Sequence, residues 1–564
     1  MSPANFPGPQ RIDPSSLSSS VLDHIVQARR QHLPGIAALL EGVEDHDLGV
    51  STRSLYQALG GGQRGCGHFI MECKSASPSL GKIRDPFAPA AIATVYNRYA
   101  SAISVLCEPQ FFGGSYDHLA TVAASTHLPV LCKDFIIDPV QVRAARYFGA
   151  DAILLMLSVL DDDQYRQLAA LAAALGLDVL TEVSTESELR RARELGARIV
   201  GINNRNLRDL SIDTDRTRQY APALPEDVVV VSESGIKTNR DVTSLGPLVS
   251  GFLVGSALMG QADLDAACRQ LMFGNVKVCG LRTPAQAQLA AACGASFGGV
   301  ILAPTSPRRV NAEQALEIIG AAPTLAWVAV VTTTAPGEIA RQVLPLLGTL
   351  AAVQIHAPAL CAEDGAFDLQ KQLRWIEQVR RALGSGEPSN TVAPRQTPQI
   401  WLGLNAQRTT DREAAAALCQ QVRIVLDSGS GGTGTTFDWD GIPASARPHI
   451  LLAGGIGPDN VQAARAQGTW GLDLNSRLEF THDQHKDAHR VRAVFQNLRD
   501  HRARADQIPE PNAPQFYAPA ATAPAGALAP VSPQPGPTSS PESPTDASPT
   551  DAAPATETPV KDPK

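Results

Sequence analysis

The amino-acid sequence predicts an α/β protein made of two consecutive (β/α)8 TIM barrels and a disordered Pro/Ala-rich C-terminal tail. Three observations carry this expectation. Short apolar, β-branched runs recur eight times between residues 51 and 257, and eight times again between 276 and 476. Ala/Leu/Arg-rich stretches of helical spacing separate them, and the runs are apolar throughout, as strands must be when both faces of a parallel sheet are covered. From about Ala505 the chain holds 15 of its 42 prolines and almost no large apolar groups, a composition that cannot carry a core.

The first expected element is a helix, SSSVLDHIVQARRQHL, whose apolar positions Val21, Leu22, Ile25 and Val26 suit docking on a barrel mouth. The first strand series is FIMEC (69–73), ISVLC (103–107), PVLCKDF (129–135), AILLML (152–157), DVLTEV (178–183), IVGINN (199–204), VVVVSES (228–234) and GFLVGS (251–256). The second is VKVCGL (276–281), FGGVILA (297–303), LAWVAVVT (325–332), LAAVQIH (350–356), QIWLGLN (399–405), RIVLDSG (423–429), HILLAGGI (449–456) and WGLDLNS (470–476). The seam MFGN (272–275) is too short for a flexible tether, so the two barrels are expected to touch. GSGEPSNTVAPRQTPQ (384–399) reads as a surface loop. Periodicity alone does not prove closure, and an open doubly wound sheet is the alternative.

With 564 residues, 44% of them hydrophobic and 18% charged, the chain is expected to form more than one domain: 1–272, 276–503 and the tail 504–564. A net charge of -8, from 48 basic and 56 acidic residues, argues against a nucleic-acid partner but leaves room for a local basic pocket. Nine scattered cysteines without a CxxC pair or Cys/His cluster suit a reducing compartment and neither a disulfide framework nor a metal site. No apolar leader and no run of about 18 apolar residues is present, so membrane insertion and secretion are not expected, and the cytoplasm is.

Catalytic side chains of a barrel come from the C-terminal ends of its strands. In the first series these carry Glu72 and Lys74, two apart and on one face, then Lys133, Glu182, Asn203 with Arg205, and Glu233 with Ser234. Lysines and carboxyls sharing one mouth shift each other's pKa and supply general acids and bases. After strands seven and eight, Gly235, Gly255 and Ser256 place small groups and free backbone N–H where a phosphate can bind. In the second series Cys279 ends the first strand, Arg308 follows the second and suits a carboxylate, and Asp427 ends the sixth before a glycine-rich loop. Gly454, Gly455, Asn475 and Ser476 repeat the phosphate pattern.

Through ECKSASPS, CKDFIIDP, TEV, GINNRNL and SESGI, residues 20–272 resemble indole-3-glycerol phosphate synthase. The resemblance implies closure of 1-(2-carboxyphenylamino)-1-deoxyribulose 5-phosphate to indole-3-glycerol phosphate with loss of CO2 and water, using no metal and no organic cofactor. It makes Lys133 the general acid at the ketone, Glu182 its partner acid/base, and Lys74 a second cation oriented by Glu72. Asn203, Arg205, Glu233 and Ser234 shape the pocket. Through KVCGL, SPRRV, VQIH, DSGSGGTGTTFDW and AGGIGPDN, residues 276–500 resemble phosphoribosylanthranilate isomerase. That implies an Amadori rearrangement in which Asp427 protonates the furanose oxygen, Cys279 as thiolate removes the C2′ proton, and Arg308 binds the anthranilate carboxylate. A thiol serves as base only if nearby cations or N–H dipoles lower its pKa. The second half departs from the family pattern at Arg282, Thr332, Ala357 and Arg477. The expected protein is thus a monomer acting on small phosphorylated substrates in tryptophan biosynthesis. The alternative is a monofunctional synthase whose second barrel is a binding or scaffold module.

Overall fold

The computed structural model describes residues 20–206, 209–384, 397–429 and 434–502. Most of the loop expected at 384–399, four residues of the glycine-rich segment after Asp427, and the tail expected from 504 lie outside these.

Sixteen strands form two closed parallel barrels of eight. The first contains β1 (His68–Cys73), β2 (Ala102–Leu106), β3 (Val130–Lys133), β4 (Ala152–Met156), β5 (Asp178–Val183), β6 (Ile199–Asn203), β7 (Val229–Glu233) and β8 (Gly251–Val254). The second contains β9 (Asn275–Val278), β10 (Phe297–Ile301), β11 (Ala326–Val331), β12 (Leu350–His356), β13 (Gln399–Asn405), β14 (Arg423–Asp427), β15 (Ile450–Leu452) and β16 (Gly471–Leu474). Closure is direct: β1 pairs with β8, Phe69 opposite Phe252, and β9 with β16, Lys277 opposite Asp473. The open sheet is thereby excluded.

Alternation along each strand divides the apolar residues into two layers. On β1, Phe69, Met71 and Cys73 belong to the core between strands and helices, whereas Ile70 faces inward with Leu131, Leu154, Leu180 and Val231. Glu72 follows Ile70 by two, Lys133 follows Leu131, Glu182 follows Leu180 and Glu233 follows Val231. Each polar residue is therefore the last inward-facing position of its strand, one layer above the apolar filling.

The N-terminal helix α1 (Val21–Leu39) starts at Ser20, whose hydroxyl accepts a hydrogen bond from the Asp23 amide at 3.2 Å. Its Val21, Leu22 and Ile25 join the inward-facing cluster and so stopper the first barrel. Buried Arg29 fixes the helix by an ion pair with Asp134, the residue after Lys133, and a hydrogen bond to the Tyr116 hydroxyl.

Helix α2 (Leu264–Phe273) ends the first barrel, and one residue, Gly274 at φ +77°, separates it from β9. The barrels touch through the ends where their strands begin. The His501 amide donates to the Gly65 carbonyl at 2.7 Å and Arg499 to the Gly67 carbonyl at 3.1 Å, just before β1. Both residues close the end of α3 (Ala488–Arg499). In return Arg269 of α2 donates to the Ala295 and Thr324 carbonyls, before β10 and β11, at 2.7 and 2.6 Å. The two mouths, at the opposite ends of the strands, thus face away from the contact.

Arg269 is buried and also pairs with Asp265, so Arg269→Met leaves two carbonyls without their donor. Urea unfolding is expected to show a loss of about 2–4 kcal/mol, with both mouths' side chains unchanged. An unaltered transition would mean that these bonds do not join the barrels.

Candidate active sites

At the first mouth a cavity of about 560 Å³ is lined by Glu72, Lys74, Lys133, Glu182, Asn203, Arg205, Ser234, Gly235, Gly255 and Ser256, with Val21 and Ile25 of α1. Glu233 lies just beneath, 1% exposed. Lys133 Nζ is 2.7 Å from Glu233 Oε2, 3.8 Å from Glu182 Oε2 and 3.9 Å from Glu72 Oε2, while Lys74 Nζ sits 2.6 Å from Glu72 Oε1. All of the polar residues expected from the first series therefore converge.

Burial opposes charge on Lys133, but Glu233, Glu72 and Glu182 overcome it and hold the ammonium well above the ordinary lysine range. Glu72 is disfavoured as an anion by burial, yet Lys74 and Lys133 hold it below its usual value. Glu182 is pushed up to about 7 by burial and the neighbouring Glu233 charge, against the pull of Lys133 and a hydrogen bond with Asn203. Lys133 is thus held as an ammonium and Glu72 as a carboxylate, while the Glu182 carboxyl exchanges its proton near neutral pH.

Two glycines make room for these groups. A Cβ on Gly201 would lie 2.0 Å from Glu233 Oε1, and one on Gly255 would lie 2.2 Å from Glu72 Oε1. Around the last two strands, Ser234 and Gly235 both adopt left-handed backbone, at φ +64° and +80°. Gly255 precedes the short helix Ser256–Met259 without a capping side chain, so the first amides of that turn stay available at the cavity. Ser77, Leu80, Phe112 and Lys237 also line it and carry no strand-end signal in the sequence.

At the second mouth a cavity of about 290 Å³ is lined by Cys279, Arg308, Asp427, Gly454, Gly455, Asn475 and Ser476. Asp427 is buried and its Oδ1 accepts from the Ser428 amide at 2.7 Å. Gly454 and Gly455 are left-handed, at φ +90° and +58°, and close approach demands the first: a Cβ there would lie 2.9 Å from the Ser428 amide nitrogen.

Three features differ from expectation. Burial raises the Cys279 thiol above its ordinary value, although Lys277 pulls it down. Arg308 does make bidentate contact with a carboxylate, but that of Glu479, at 2.8 Å from both Nε and Nη2. The Asn475 side-chain oxygen accepts from Lys486 Nζ at 2.8 Å, and Lys486 also reaches Glu479 at 2.7 Å. Beneath the cavity Lys277 is wholly buried, 2.9 Å from Asp473 Oδ2 and 2.7 Å from Gln354 Oε1. Gln354 in turn contacts His356, which burial and Lys277 hold near 4 and hence neutral. Lys277 precedes Cys279 by two, so period-two reading of KVCGL could have found it; Glu479 and Lys486 lie beyond any strand and leave no such signal. Of the departures, Thr332 lines the cavity, and Arg282 uses its amide to bond Gln286. Among the described residues no cluster of three or more His, Cys, Asp or Glu could hold a metal ion, and no helix is long and apolar enough to cross a membrane.

Comparison with known proteins agrees with both halves. Residues 22–271 match the family model for indole-3-glycerol phosphate synthase, and residues 276–383 and 389–497 that for N-(5'phosphoribosyl)anthranilate (PRA) isomerase. The tryptophan biosynthesis protein TrpCF of Corynebacterium glutamicum is 50% identical over 462 residues, covering 82% of this chain and 93% of that protein. TrpCF of Yersinia pestis is 48% identical, covering 80% and 89%, and that of Salmonella typhi 45% identical, covering 84% and 96%. Two closed barrels, each with its polar residues gathered at the strand ends, and similarity across four-fifths of the chain place it in the bifunctional TrpCF family, an indole-3-glycerol phosphate synthase joined to a phosphoribosylanthranilate isomerase.

Proposed function

We propose that the two mouths carry the two consecutive reactions, with 1–272 as the synthase unit and 276–503 as the isomerase unit. The observation that carries this reading is the pair of separate, differently equipped sites: two lysines with three carboxyls at one mouth, a thiol and an aspartate lining the other.

In the isomerase unit, Asp427 donates a proton to the furanose oxygen of N-(5-phosphoribosyl)anthranilate, which opens the sugar to an iminium. Cys279 removes the C2′ proton, and the enamine tautomerises to the aminoketone. Arg308 and Lys486 share Glu479 between them, so their combined charge leaves one positive unit for the anthranilate carboxylate. Backbone at Gly454, Gly455, Asn475 and Ser476 receives the phosphate.

In the synthase unit, Lys133 is the general acid at the ketone during aryl C–C bond formation, and Lys74, oriented by Glu72, is the second cation. Glu182, poised near neutrality, exchanges the proton needed for dehydration. Asn203, Arg205, Glu233 and Ser234 shape the pocket, and Gly235, Gly255 and Ser256 hold the phosphate. No step uses a metal or organic cofactor. A monomer is sufficient, because each site is built from one barrel, and the cytoplasm is the compartment in which phosphorylated intermediates of this kind are retained.

Because the barrels touch at the ends opposite their mouths, the ribulose intermediate crosses between sites through solvent. Cys279→Ala and Asp427→Ala are expected to abolish consumption of phosphoribosylanthranilate while sparing the synthase; Lys133→Ala should stall at the ribulose intermediate. Each loss is expected to be on the order of 10² to 10⁴ in kcat. An equimolar mixture of Cys279→Ala and Lys133→Ala should form indole-glycerol phosphate at the steady-state rate set by the two intact sites. Failure to complement would mean that transfer is direct. A wild type inert toward phosphoribosylanthranilate but active on the ribulose would leave the second barrel as a binding module.

The pH profile gives an independent check. Glu182 is raised to about 7 by burial and by Glu233, so synthase kcat/KM should change slope near that pH. Removing the neighbouring charge in Glu233→Gln makes the carboxylate easier to form, moving the inflection to lower pH, and Glu182→Gln should abolish it. An inflection unmoved in both variants would assign it to another group.

A further inference from the structure

Proton abstraction by Cys279 requires a thiolate, yet the side chain lies in a buried pocket that disfavours one. Directly beneath it is Lys277, two residues earlier on β9 and therefore also pointing into the barrel. Its ammonium hydrogen-bonds Asp473 and Gln354, and its charge acts on the neighbouring Cys279 thiol. The backbone of β10 is shaped around this pair: a Cβ on Gly299 would lie 2.9 Å from both Cys279 Sγ and Lys277 Cε. The inward-facing apolar filling nearby is Val328, Ala352, Trp401, Val425 and Leu451, while the polar inward residues Gln354 and Asp473 both bond Lys277. A wholly buried lysine in this layer is costly to desolvate and is not required for packing.

The groups around the sulfur also balance when it is charged. Lys277 lies below, Lys486 and Arg308 lie on the mouth side, and Asp473, Glu479 and Asp427 provide the carboxyls. His356 is neutral. Before substrate binds, and with Asp427 carrying the proton it must donate, three cations face two carboxylates, so a negative thiol is offset in the free enzyme.

We propose that Lys277 is a positioning residue for the isomerisation, whose buried ammonium aims the Cys279 sulfur and stabilises it as the thiolate that takes the C2′ proton. This rests on the reading of Cys279 as the base. In the step, sulfur gains the proton, the C2′–H electron pair becomes the C1′–C2′ double bond, and the iminium electrons return to nitrogen. Lys277 keeps its own proton throughout.

The test uses the full chain with Lys277→Met, and with Lys277→Met/Asp473→Asn so that no carboxylate is left alone if the single variant folds poorly. Alkylation of Cys279 by iodoacetamide is followed from pH 6 to 10 by mass spectrometry of its peptide, beside isomerase kcat and KM over the same range. Synthase turnover in the same preparation reports the integrity of the fold. The alkylation midpoint is expected to rise by about one pH unit or more. At pH 7 isomerase kcat should fall roughly tenfold or more with KM nearly constant, recover as pH is raised, and leave synthase turnover intact. An alkylation profile unchanged in both variants overturns the proposal, whatever happens to kcat. Cys279→Ala separates the two layers: if it still isomerises, the assignment of the base fails, and the role of Lys277 in catalysis fails with it, even where the alkylation midpoint has moved.

Discussion

The ammonium of Lys133 is within 3.9 Å of carboxyl oxygens from three other strands, and the first mouth is organised around it. None of Glu72, Glu182 and Glu233 is adjacent to another in sequence, and only closure of the sheet brings them together. Once they are together, electrostatics divides their roles. Lys133 is held as an ammonium and Glu72 as a carboxylate, and Glu182 is left with a proton it can exchange near neutrality. The supporting parts follow from the same requirement. Gly201 and Gly255 lack side chains where the carboxylates stand, and Arg29 fixes α1 over the site through Asp134, the residue next to Lys133.

The second barrel solves a different problem with similar means. Its buried lysine lies one layer deeper than Lys133, paired across the β9–β16 seam with Asp473, and the thiol proposed as the base stands above it. Above the thiol, Arg308 and Lys486 clamp Glu479, which fixes a positive edge at the mouth and keeps two cations from repelling each other in a small cavity. A synthase with an idle second barrel would have no use for buried charges in the barrel interior, since aliphatic filling is the cheaper solution there.

The fold was legible because its signal is repetitive and apolar: sixteen β-branched runs at βα spacing leave few alternatives, and Lys133 or Asp427 at the end of such a run stands out. Even the contact between the barrels follows from a seam that proves to be one glycine long. What the sequence did not reveal depends on distance in space. The expected thiolate at Cys279 neglected burial, which acts through every surrounding strand. Arg308 is expected to meet a substrate carboxylate, and in the structure it grips Glu479, which lies 171 residues away and is invisible to local pattern. Lys277 was within reach, two positions from Cys279, and was hidden because a lysine at the beginning of an apolar run resembles a solvated strand end.

The arrangement of the barrels limits what fusion can do. Sharing one chain guarantees equal amounts of both activities, and a buried seam with Arg269, Arg499 and His501 gives each barrel a partner for its strand-start end. That same end lies opposite the catalytic mouth in every parallel barrel, because the side chains of strand ends and the loops after them build the site. Joining two barrels at these ends therefore leaves both active-site faces unobstructed by the partner, with α1 free to cap the first. It also points the mouths apart, which is the geometry behind the proposed transfer of the intermediate through solvent.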